Sequence, residues 1–567
     1  MVSDGNRSTR WGALIIDALV AAGVELAVIA PGSRSTPLVV AASAHPGLQT
    51  ETLLDERGAA FAALGHAKRT GVPAVVVCTS GTAGANMLPA VIEAASDPTP
   101  LVVCTADRPP SLHGTGANQT IDQADLFTPY VRARGTTPMP VPDPAVAASV
   151  ADSVTALVGT ARVPEPGPVH LNTPFAKPLS PSERDGASGR APSSVTPSAQ
   201  SPQERAIDRG AVGEIAAMLD GRRPLIVAGP MAPWQPQRAA IARLARRCAA
   251  PLLADPLSGL RTGAHVTDTA VVATYDVVCA AGVTPQPPDV VLRFGATPTS
   301  APLQRYLGDL AVPQVMITTG RTGNDPHAVA ERQIVGPPGT VAAAVCDRLP
   351  TTTPYAPQWA EPAATAGAVL RDAARAGAGA VIQQVDRSLD RGATLVIGNS
   401  MAVRELDRYA TVHPRDRVTV GNRGASGIDG LVSTAVGVAR TQPTTLVLGD
   451  VSLVHDIGGL IGIDRLGVDL TVVCLNDDGG GIFEMLQIAD VDPPYTEFFR
   501  TPHGLTFEAA ARQFGLSYEC VSAAEFASVF VPPTAGAGGH LIEVPVSASV
   551  THAERDAAVA AVATALG

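Results

Sequence analysis

Short apolar runs alternate with longer mixed segments along the whole chain, a pattern typical of strands alternating with helices in parallel sheets. The runs that predict buried strands are 25–30, 74–78, 101–104, 224–229, 290–295, 395–398, 444–448, 470–475 and 541–544. The stretch 11–30 predicts an amphipathic helix that leads into the first of these strands. We therefore predict an α/β protein built of mainly parallel sheets flanked by helices.

Two stretches interrupt this alternation and predict linkers. Residues 180–205 are rich in Ser, Pro, Ala and Gly, and residues 349–365 contain several Pro and Thr. The predicted domains are therefore 1–180, 205–348 and 366–567, and the length of 567 residues agrees with that number. The middle domain has strands but fewer polar turns, so we interpret it mainly as a scaffold.

Composition narrows the class of protein. Apolar residues make up 46% of the chain and charged residues 16%, as expected of a globular protein. The net charge of −11 argues against nucleic-acid binding. The seven cysteines are scattered without a C-x-x-C pair, which favours buried, reduced thiols in a cytoplasmic protein. Asp17 and Glu25 interrupt the N-terminal apolar stretch, so we expect neither a signal segment nor a membrane span.

Two acidic turns follow neighbouring strand-like runs in the last third. Asp450 follows the run 444–448 and Asp477 follows the run 470–475, so that 477 − 450 = 27 residues separate them. Because this is about one strand–helix–strand unit, both carboxylates are expected at the same edge of a parallel sheet. Two carboxylates and a turn carbonyl at Gly479 suit Mg²⁺. The neighbouring glycines would let backbone N–H groups approach a diphosphate.

A second acidic pair begins the helix-like segment after residue 54. The plain interpretation of Asp55 and Glu56 is an acidic helix start favoured by the helix dipole. The functional interpretation is a carboxyl group that takes part in proton transfer. Such a group needs an apolar setting to stay neutral, and Leu53, Leu54 and Phe61 are available for it.

Arginines form another pattern, because Arg34, Arg108, Arg404 and Arg423 each follow a strand-like run within a few residues. A single arginine is usually a solvated surface residue. Four at the expected active edges suggest substrates with several carboxylates, which guanidinium groups bind bidentately. The Gly-containing loops 80–84 and 113–119 are weaker signals, and neither is a nucleotide-binding fingerprint. Tight helix–strand packing explains 80–84 equally well, and a plain turn explains 113–119 equally well.

The turn that begins Gly449-Asp450 resembles the diphosphate–magnesium motif of thiamine diphosphate (ThDP) enzymes. It departs from that motif at Val451, which replaces a Gly, and at Asp477, which replaces an Asn. Further matching motifs are 31–38 (PGSRSTPL), 55–57 (DER), 80–83 (SGTA), 106–110 (ADRPP), 424–430 (GASGIDG) and 479–483 (GGGIF). Together they resemble the 2-succinyl-5-enolpyruvyl-6-hydroxy-3-cyclohexene-1-carboxylate (SEPHCHC) synthase family of menaquinone biosynthesis, from about residue 10 to the C-terminus.

The resemblance implies a three-domain ThDP-enzyme architecture with pyrimidine-binding, central and diphosphate-binding domains. It implies a transferase that uses ThDP and Mg²⁺, with Mn²⁺ as a possible replacement. The implied reaction is decarboxylation of 2-oxoglutarate and 1,4-addition of the succinyl carbanion to isochorismate, which gives SEPHCHC and CO₂. The family builds its site between two subunits, so a cytoplasmic homodimer or dimer of dimers is implied.

The resemblance also implies roles for individual residues. The implied catalytic residues are Glu56, Ser400, Arg404 and Arg423. The implied cofactor contacts are Glu56, Ser80, Gly81, Ser426, Ile428, Asp450, Val451, Ser452, Asp477, Gly479, Gly480 and Ile482, of which Asp450, Asp477 and Gly479 hold the metal. The residues implied to face 2-oxoglutarate are Ser400, Arg404 and Arg423. Those implied to face isochorismate are Ser33, Arg34, Arg108, Asn118, Gln119, Phe483 and Leu486.

One family feature is missing from the middle third. The family uses a basic residue near the stretch 299–302, whereas the nearest basic residues here are Arg293 and Arg305. Two other functions stay open: a different ThDP-dependent 2-oxoacid decarboxylase or carboligase resembling acetolactate synthase, and a non-catalytic diphosphate-binding regulator. The several arginines count against the first, and the presence of Glu56 beside the metal ligands counts against the second.

Overall fold

The computed structural model describes residues 7–181, 207–320, 325–349 and 358–567. Within these residues the strands form three six-stranded sheets, and their neighbouring strands pair in parallel. The chain folds as two units. Unit 1 comprises Met1–Arg205, Gly424–Thr441 and Gly458–Leu466, and unit 2 comprises Ala206–Arg423, Gln442–Ile457 and Gly467–Gly567.

The first sheet lies in unit 1 and has the strand order β2-β1-β3-β4-β6-β5. Its strands are β1 (Leu26–Ile29), β2 (Gln49–Thr52), β3 (Ala74–Cys78), β4 (Leu101–Asp107), β5 (Ala133–Thr136) and β6 (Pro168–Pro174). The helices around it are α1 (Arg7–Ala21), α2 (Thr36–Ala44), α3 (Glu56–Thr70), α4 (Thr82–Asn86), α5 (Leu88–Ser96) and α6 (Pro144–Arg162). Val75 and Val77 of β3 lie in one apolar cluster and Val76 in another, so both faces of the sheet are covered.

The second sheet lies in unit 2 and has the order β12-β11-β10-β7-β8-β9. Its strands are β7 (Pro224–Ala228), β8 (Leu252–Ala254), β9 (Val271–Val272), β10 (Val290–Phe294), β11 (Gln314–Thr318) and β12 (Arg332–Val335). Its helices are α7 (Arg209–Leu219), α8 (Arg238–Arg247), α9 (Tyr275–Ala280), α10 (Ala301–Asp309) and α11 (Pro338–Arg348).

The third sheet, also in unit 2, has the order β14-β13-β15-β16-β18-β17. Its strands are β13 (Thr394–Ile397), β14 (Val418–Gly421), β15 (Thr444–Gly449), β16 (Leu470–Asn476), β17 (Ser517–Cys520) and β18 (Gly539–Pro545). The helices of this part of the chain are α12 (Ala360–Ala373), α13 (Ala378–Ser388), α14 (Met401–Tyr409), α15 (Leu431–Ala439), α16 (Asp450–His455), α17 (Ile461–Arg465), α18 (Glu508–Gln513), α19 (Phe526–Val529) and α20 (Ala548–Leu566).

The predicted fold class is confirmed, and all nine predicted strands are strands whose ends differ from the prediction by at most a few residues. The predicted linker 349–365 is wrong at its end, because α12 begins at Ala360. Residues 350–357, and nearly all of the predicted linker 180–205, lie outside the described residues. The domain boundaries therefore stay a prediction.

Helices α15 and α17 belong to unit 1, although the last third of the chain supplies them. Helix α15 packs closely on α3 because glycines stand where the two backbones meet. A Cβ atom on Gly65 would lie 2.1 Å from the Thr434 carbonyl oxygen, and one on Gly437 would lie 1.9 Å from that of Ala62. This close approach fixes the loop 424–430, which leads into α15, as part of unit 1.

Helix α6 is long and apolar enough to cross a membrane, judged by length and composition alone. One face of it, including Val150, Val154 and Val158, is buried in a core cluster of unit 1. The same composition is typical of a core helix in a globular protein, so it is weak evidence of a membrane span.

Candidate active site

In unit 1 the candidate residues follow four neighbouring parallel strands and so lie along one edge of the first sheet. They are Ser33 and Arg34 after β1, Glu56 after β2, Ser80 and Gly81 after β3, and Arg108 after β4. The turns after β1, β3 and β4 follow predicted strands, whereas β2, which precedes Glu56, was not predicted.

Glu56 is the first residue of helix α3, and the preceding Asp55 caps that helix by accepting a hydrogen bond from the Arg57 N–H at 2.8 Å. The plain interpretation of the acidic pair therefore applies to Asp55. Glu56 has no hydrogen-bond partner among the described residues. Its apolar setting is smaller than predicted, because Leu53 is buried whereas Leu54 is 56% exposed.

The two weakly predicted loops of unit 1 contact each other. The Ser80 hydroxyl donates to the Gln119 carbonyl oxygen at 3.0 Å, and the Gln119 side-chain amide donates to the Ser80 carbonyl oxygen at 2.9 Å. Gly81 has a φ of 83°, and a Cβ atom there would lie 2.8 Å from Gln119 Cγ. The stretches 80–84 and 113–119 thus form one polar wall beyond the ends of β3 and β4.

Two arginines stand beside this wall. Arg108 donates from Nε and Nη2 to the Asn118 carbonyl oxygen at 3.2 and 3.0 Å. Arg34 is buried and donates from Nη1 to the Phe175 carbonyl oxygen at 2.7 Å. Burial lowers the pKa of Arg34, and the positive charge of Arg108 lowers it further. Two neighbouring guanidinium groups make this end of unit 1 favourable for an anion.

Sequence reasoning missed the polar group beneath Arg108. The Asn172 side-chain carbonyl accepts hydrogen bonds from Thr105 Oγ1 and Gln123 Nε2, both at 2.9 Å, and its amide donates to Asp107 Oδ2 at 2.9 Å. These contacts fix the end of β4, where Arg108 begins. The available signal was Asn172 itself, a polar residue inside the buried strand β6.

In unit 2 the candidate residues again follow four neighbouring parallel strands, at one edge of the third sheet. They are Ser400 and Arg404 after β13, Arg423 after β14, Asp450, Val451 and Ser452 after β15, and Asp477, Gly479, Gly480, Ile482, Phe483 and Leu486 after β16. Strands β15 and β16 pair directly, with Gly449 opposite Leu475. The prediction that Asp450 and Asp477 follow adjacent parallel strands is confirmed.

Asp450 is buried and accepts hydrogen bonds from the N–H groups of Val451 at 2.7 Å and Gly479 at 2.8 Å. Burial and the charge of Asp450 raise the pKa of Asp477 to about 7. Among the described residues, no Lys or Arg forms an ion pair with either carboxylate. Two poorly neutralised carboxylates beside the turn at Gly479 are a donor set that fits a divalent cation.

This set is small, because the described part of the chain contains no cluster of three or more His, Cys, Asp or Glu side chains suited to a metal. Mg²⁺ needs only one or two carboxylates when phosphate oxygens and water complete its octahedron. The site therefore fits a metal held together with a diphosphate rather than by the protein alone.

The glycine turn 479–481 is held by a segment that sequence reasoning missed. Arg500 donates from Nη1 to the Asp478 carbonyl oxygen at 2.8 Å, and its own carbonyl oxygen accepts from the Gly480 N–H at 2.7 Å. His503 Nε2 lies 3.0 Å from Asp450 Oδ2. A Cβ atom on Gly479, which has a φ of 126°, would lie 2.2 Å from the Arg500 carbonyl oxygen. Only glycine fits this approach.

The arginines of unit 2 follow β13 and β14, beside the strands that carry Asp450 and Asp477. Arg404 donates from Nη1 to the Ser400 carbonyl oxygen at 2.6 Å, and Arg423 donates from Nη1 to Asn399 Oδ1 at 2.9 Å. Burial lowers the pKa of Arg404, and the positive charges of Arg423 and Arg555 lower it further. Like charges held together in this way favour the binding of a carboxylate.

Helix α14, which carries Arg404, is fixed by three buried ion pairs inside unit 2. They join Glu405 to Arg555 at 2.7 Å, Asp407 to Arg261 at 2.5 Å, and Arg408 to Asp276 at 2.7 Å. About one turn of α14 thus binds to α9, α20 and the loop after β8. These ion pairs therefore fix the part of α14 that carries Arg404.

Four candidate regions contain residues with positive φ that are not glycine. These are Gln119 at 55°, Ser400 at 61°, Ser426 at 60° and Asp478 at 63°. Such backbone costs free energy, and it is concentrated at functional sites in proteins. The same backbone conformation also occurs outside the candidate residues, at Ala249, Ala328 and Thr501, so it does not by itself mark a site.

Four further candidates are less enclosed. Ser426 and Ile428 lie in the loop 424–430 of unit 1, where Ser426 is exposed and Ile428 is half-buried. In unit 2 the Phe483 ring contacts Phe499 edge-on, with 5.8 Å between ring centroids, whereas Leu486 is 52% exposed.

The middle third supplies no basic residue from the stretch 299–302. The Thr299 N–H donates to Asp255 Oδ2 at 2.7 Å, and Arg293 is buried in an ion pair with Asp325 at 2.8 Å. Arg305 is exposed on α10. Arg293 is therefore already bound within the second sheet's own domain.

Two family models match the chain. They are the N-terminal TPP binding domain of thiamine pyrophosphate enzymes at residues 9–126 and the C-terminal TPP binding domain at residues 398–544. The chain is 42% identical to the 2-succinyl-5-enolpyruvyl-6-hydroxy-3-cyclohexene-1-carboxylate synthase of Halobacterium salinarum, over 97% of each chain. It is 40% identical to the synthase of that name from Chloroflexus aurantiacus, over 94% of this chain and 93% of the relative.

The fold is also similar to that of a solved structure. Benzoylformate decarboxylase from Polynucleobacter necessarius superposes with a TM-score of 0.71 and 17% identity, covering 95% of this chain and 99% of that one. At this identity the similarity concerns the fold alone.

Proposed function

This chain belongs to the family of SEPHCHC synthases, which are ThDP-dependent enzymes, and we propose that it catalyses the SEPHCHC synthase reaction of menaquinone biosynthesis. In this reaction 2-oxoglutarate loses CO₂, and the remaining succinyl group adds to the isochorismate ring by 1,4-addition. The product is SEPHCHC.

One observation carries the proposal. Four neighbouring parallel strands of the third sheet present, at a single edge, the carboxylates Asp450 and Asp477 and the guanidinium groups of Arg404 and Arg423. The carboxylates suit a metal–diphosphate group, and the arginines suit a substrate carboxylate. An enzyme that decarboxylates a dicarboxylic 2-oxoacid on ThDP needs both groups side by side.

When bound, ThDP supplies a nucleophilic carbon that adds to a 2-oxoacid and stabilises the negative charge left by CO₂. The Asp450 and Asp477 carboxylates and the Gly479 carbonyl oxygen would hold Mg²⁺ or Mn²⁺ beside the diphosphate. The Glu56 carboxyl group, which has no protein partner among the described residues, would hold a proton at the aminopyrimidine ring. Ser80, Gly81, Ser426, Ile428, Val451, Ser452, Gly480 and Ile482 would complete the cofactor contacts.

The positive charges of Arg404 and Arg423 support 2-oxoglutarate as the substrate that is decarboxylated. Arg404 would bind the carboxylate that pyruvate lacks, and Arg423 and Ser400 would face the reacting end of the substrate. The positive charge of Arg423 repels that of Arg404, and a bound dicarboxylate would relieve this repulsion.

Isochorismate is also a dicarboxylate, and the edge of the first sheet carries Arg34 and Arg108. Arg108 and the loop containing Asn118 and Gln119 would bind it, while the buried Arg34 would contribute positive charge from beneath. Ser33 would also face isochorismate in unit 1. In unit 2, the apolar Phe483 and Leu486 would keep water from the reacting carbanion.

We also propose that the enzyme is a cytoplasmic homodimer or dimer of dimers. All seven cysteines are free, which agrees with a reducing compartment. Exposed apolar side chains follow the glycine turn at Met485, Leu486, Val491 and Phe498, and a second copy of the chain would cover them.

A substrate panel tests the proposed function. Purified protein with ThDP and Mg²⁺ is given either 2-oxoglutarate or pyruvate, with and without isochorismate, and CO₂ release is measured. We expect release from 2-oxoglutarate that rises with isochorismate, and little from pyruvate. Release from pyruvate alone would instead identify an acetolactate-synthase-like carboligase.

A further inference from the structure

Glu93, on helix α5 of unit 1, is a buried carboxylate that binds the backbone of a distant loop. Its Oε1 accepts a hydrogen bond from the Gly424 N–H at 3.0 Å, and its Oε2 accepts one from the Ala425 N–H at 2.7 Å. Only 3% of Glu93 is exposed. The two oxygens of one carboxylate therefore hold two successive amides at the start of the loop 424–430.

The charge of Glu93 is neutralised by Lys68, which is equally buried. Lys68 Nζ lies 2.9 Å from Glu93 Oε1 and also bonds the Asp97 carboxylate. A buried carboxylate without a partner is strongly destabilising, so Lys68 is what allows Glu93 to be charged at this position. A charged acceptor binds backbone N–H groups more tightly than a neutral one.

The loop is also in direct backbone contact with α5. A Cβ atom on Gly424 would lie 2.5 Å from the Asp97 nitrogen and 2.8 Å from the Glu93 carbonyl oxygen. A side chain at residue 424 would push the loop away from the helix. Gly424 and the two hydrogen bonds to Glu93 thus fix the same point of the loop.

That loop carries Ser426 and Ile428, which the proposed function assigns to the cofactor. Ser426 follows directly after the two held amides and has a φ of 60°, which a free loop would not keep. At its other end the loop enters α15, which is seated on α3. Both ends are therefore fixed, and Glu93 fixes the end beside Ser426.

We propose that Glu93, charged because of Lys68, is a positioning residue that holds the loop 424–430 in the conformation that binds ThDP. This inference rests on the proposed function, since it concerns the cofactor that the function requires. Glu93 acts through the Gly424 and Ala425 amides and does not touch the reacting atoms.

The test compares Glu93→Gln with the matched control Glu165→Gln, using the full-length protein with Mg²⁺. Glu165 pairs with Arg132 at 3.2 Å in the same unit, whereas the Gly424 and Ala425 amides bond Glu93. Calorimetry gives the Kd of ThDP, and near-ultraviolet circular dichroism reports the environment of the bound cofactor. We expect Glu93→Gln to weaken ThDP binding by about tenfold or more and to change the dichroism, and Glu165→Gln to change neither.

A merely structural role predicts a different result. Glu93→Gln would then lower the melting temperature but leave the ThDP Kd and the dichroism of the folded protein as in the wild type, and this outcome would overturn the inference. Failure of the wild type itself to bind ThDP would instead refute the proposed function, so the two failures are distinguishable.

Two further measurements keep the test decisive if Glu93→Gln does not fold. The double variant Lys68→Met/Glu93→Gln removes both charges of the pair, so it should fold better than Lys68→Met alone and still bind ThDP weakly. Hydrogen exchange on the wild type without cofactor should show slow exchange at Gly424 and Ala425. Fast exchange at both amides would contradict the inference without any variant.

Discussion

The carboxylate pair Asp450 and Asp477 gives a prediction whose magnitude follows from the structure. We consider Asp477→Asn in protein without metal or cofactor. Burial and the charge of Asp450 raise the pKa of Asp477 from 3.8 to about 7. A raised pKa means that the folded protein holds this proton more tightly than the unfolded chain, so folding is penalised once the proton is lost.

Below about pH 3.8, Asp477 is protonated in both the folded and the unfolded protein and does not lower the free energy of unfolding. As the pH rises from there toward about 7, the free energy of unfolding of the wild type falls. The loss reaches about 4 kcal/mol above neutral pH, of which about 3 kcal/mol accrues between about pH 5 and about pH 8. Asn has the same shape and no charge, so the variant avoids this loss.

The assay is chemical or thermal unfolding in the presence of a chelator, at about pH 5 and about pH 8. We expect Asp477→Asn to be the more stable protein at the higher pH, with the advantage shrinking as the pH falls. Mg²⁺ and ThDP should then stabilise the wild type more than the variant, because the metal relieves a repulsion that only the wild type has.

The neighbouring Asp478 offers a matched control. It is largely exposed and accepts hydrogen bonds from the N–H groups of His503 and Gly504, which lower its pKa. Asp478→Asn should therefore be neutral or slightly destabilising at the higher pH. If Asp477→Asn is less stable than the wild type, or if its effect does not depend on pH, the account of the carboxylate pair is wrong.

Three substitutions test the other assigned roles. Glu56→Gln should bind ThDP normally but lose about 100-fold or more in turnover, the scale of a lost proton-transfer group, and near-normal turnover would remove Glu56 from catalysis. Asp450→Ala should abolish Mg²⁺-dependent ThDP binding, and unchanged affinity by calorimetry would exclude Asp450 from the metal site. Arg404→Ala should raise the KM for 2-oxoglutarate by roughly tenfold to a hundredfold with Arg404→Lys as the milder control, and an effect confined to isochorismate would move Arg404 to the other subsite.

The strands and their polar turns could be predicted because each rests on local sequence. An apolar run such as 444–448 can only be a buried strand or a short piece of helix, and the acidic turn after it marks the strand's end. The separation of Asp450 and Asp477 in sequence then indicated that they follow adjacent strands, because one crossover connection joins adjacent parallel strands.

The parts that could not be predicted depend on contacts between distant residues. Nothing near Arg500 or His503 in sequence marks them as partners of the turn at Gly479 and of Asp450. The placement of α15 in unit 1 depends on Gly65 and Gly437 meeting the backbone of the opposite helix, which requires knowledge of the packing. Leu54 was expected to be an apolar neighbour of Glu56 only because it is close in sequence, and its side chain is exposed.

The most direct measurement of the central claim follows the carbon atoms of the substrate. Uniformly ¹³C-labelled 2-oxoglutarate is incubated with the protein, ThDP, Mg²⁺ and isochorismate, and the products are analysed by mass spectrometry. The account predicts labelled CO₂, loss of isochorismate, and an adduct that carries the labelled succinyl carbons. Labelled CO₂ with isochorismate left intact, or no turnover by protein that binds ThDP, would contradict it.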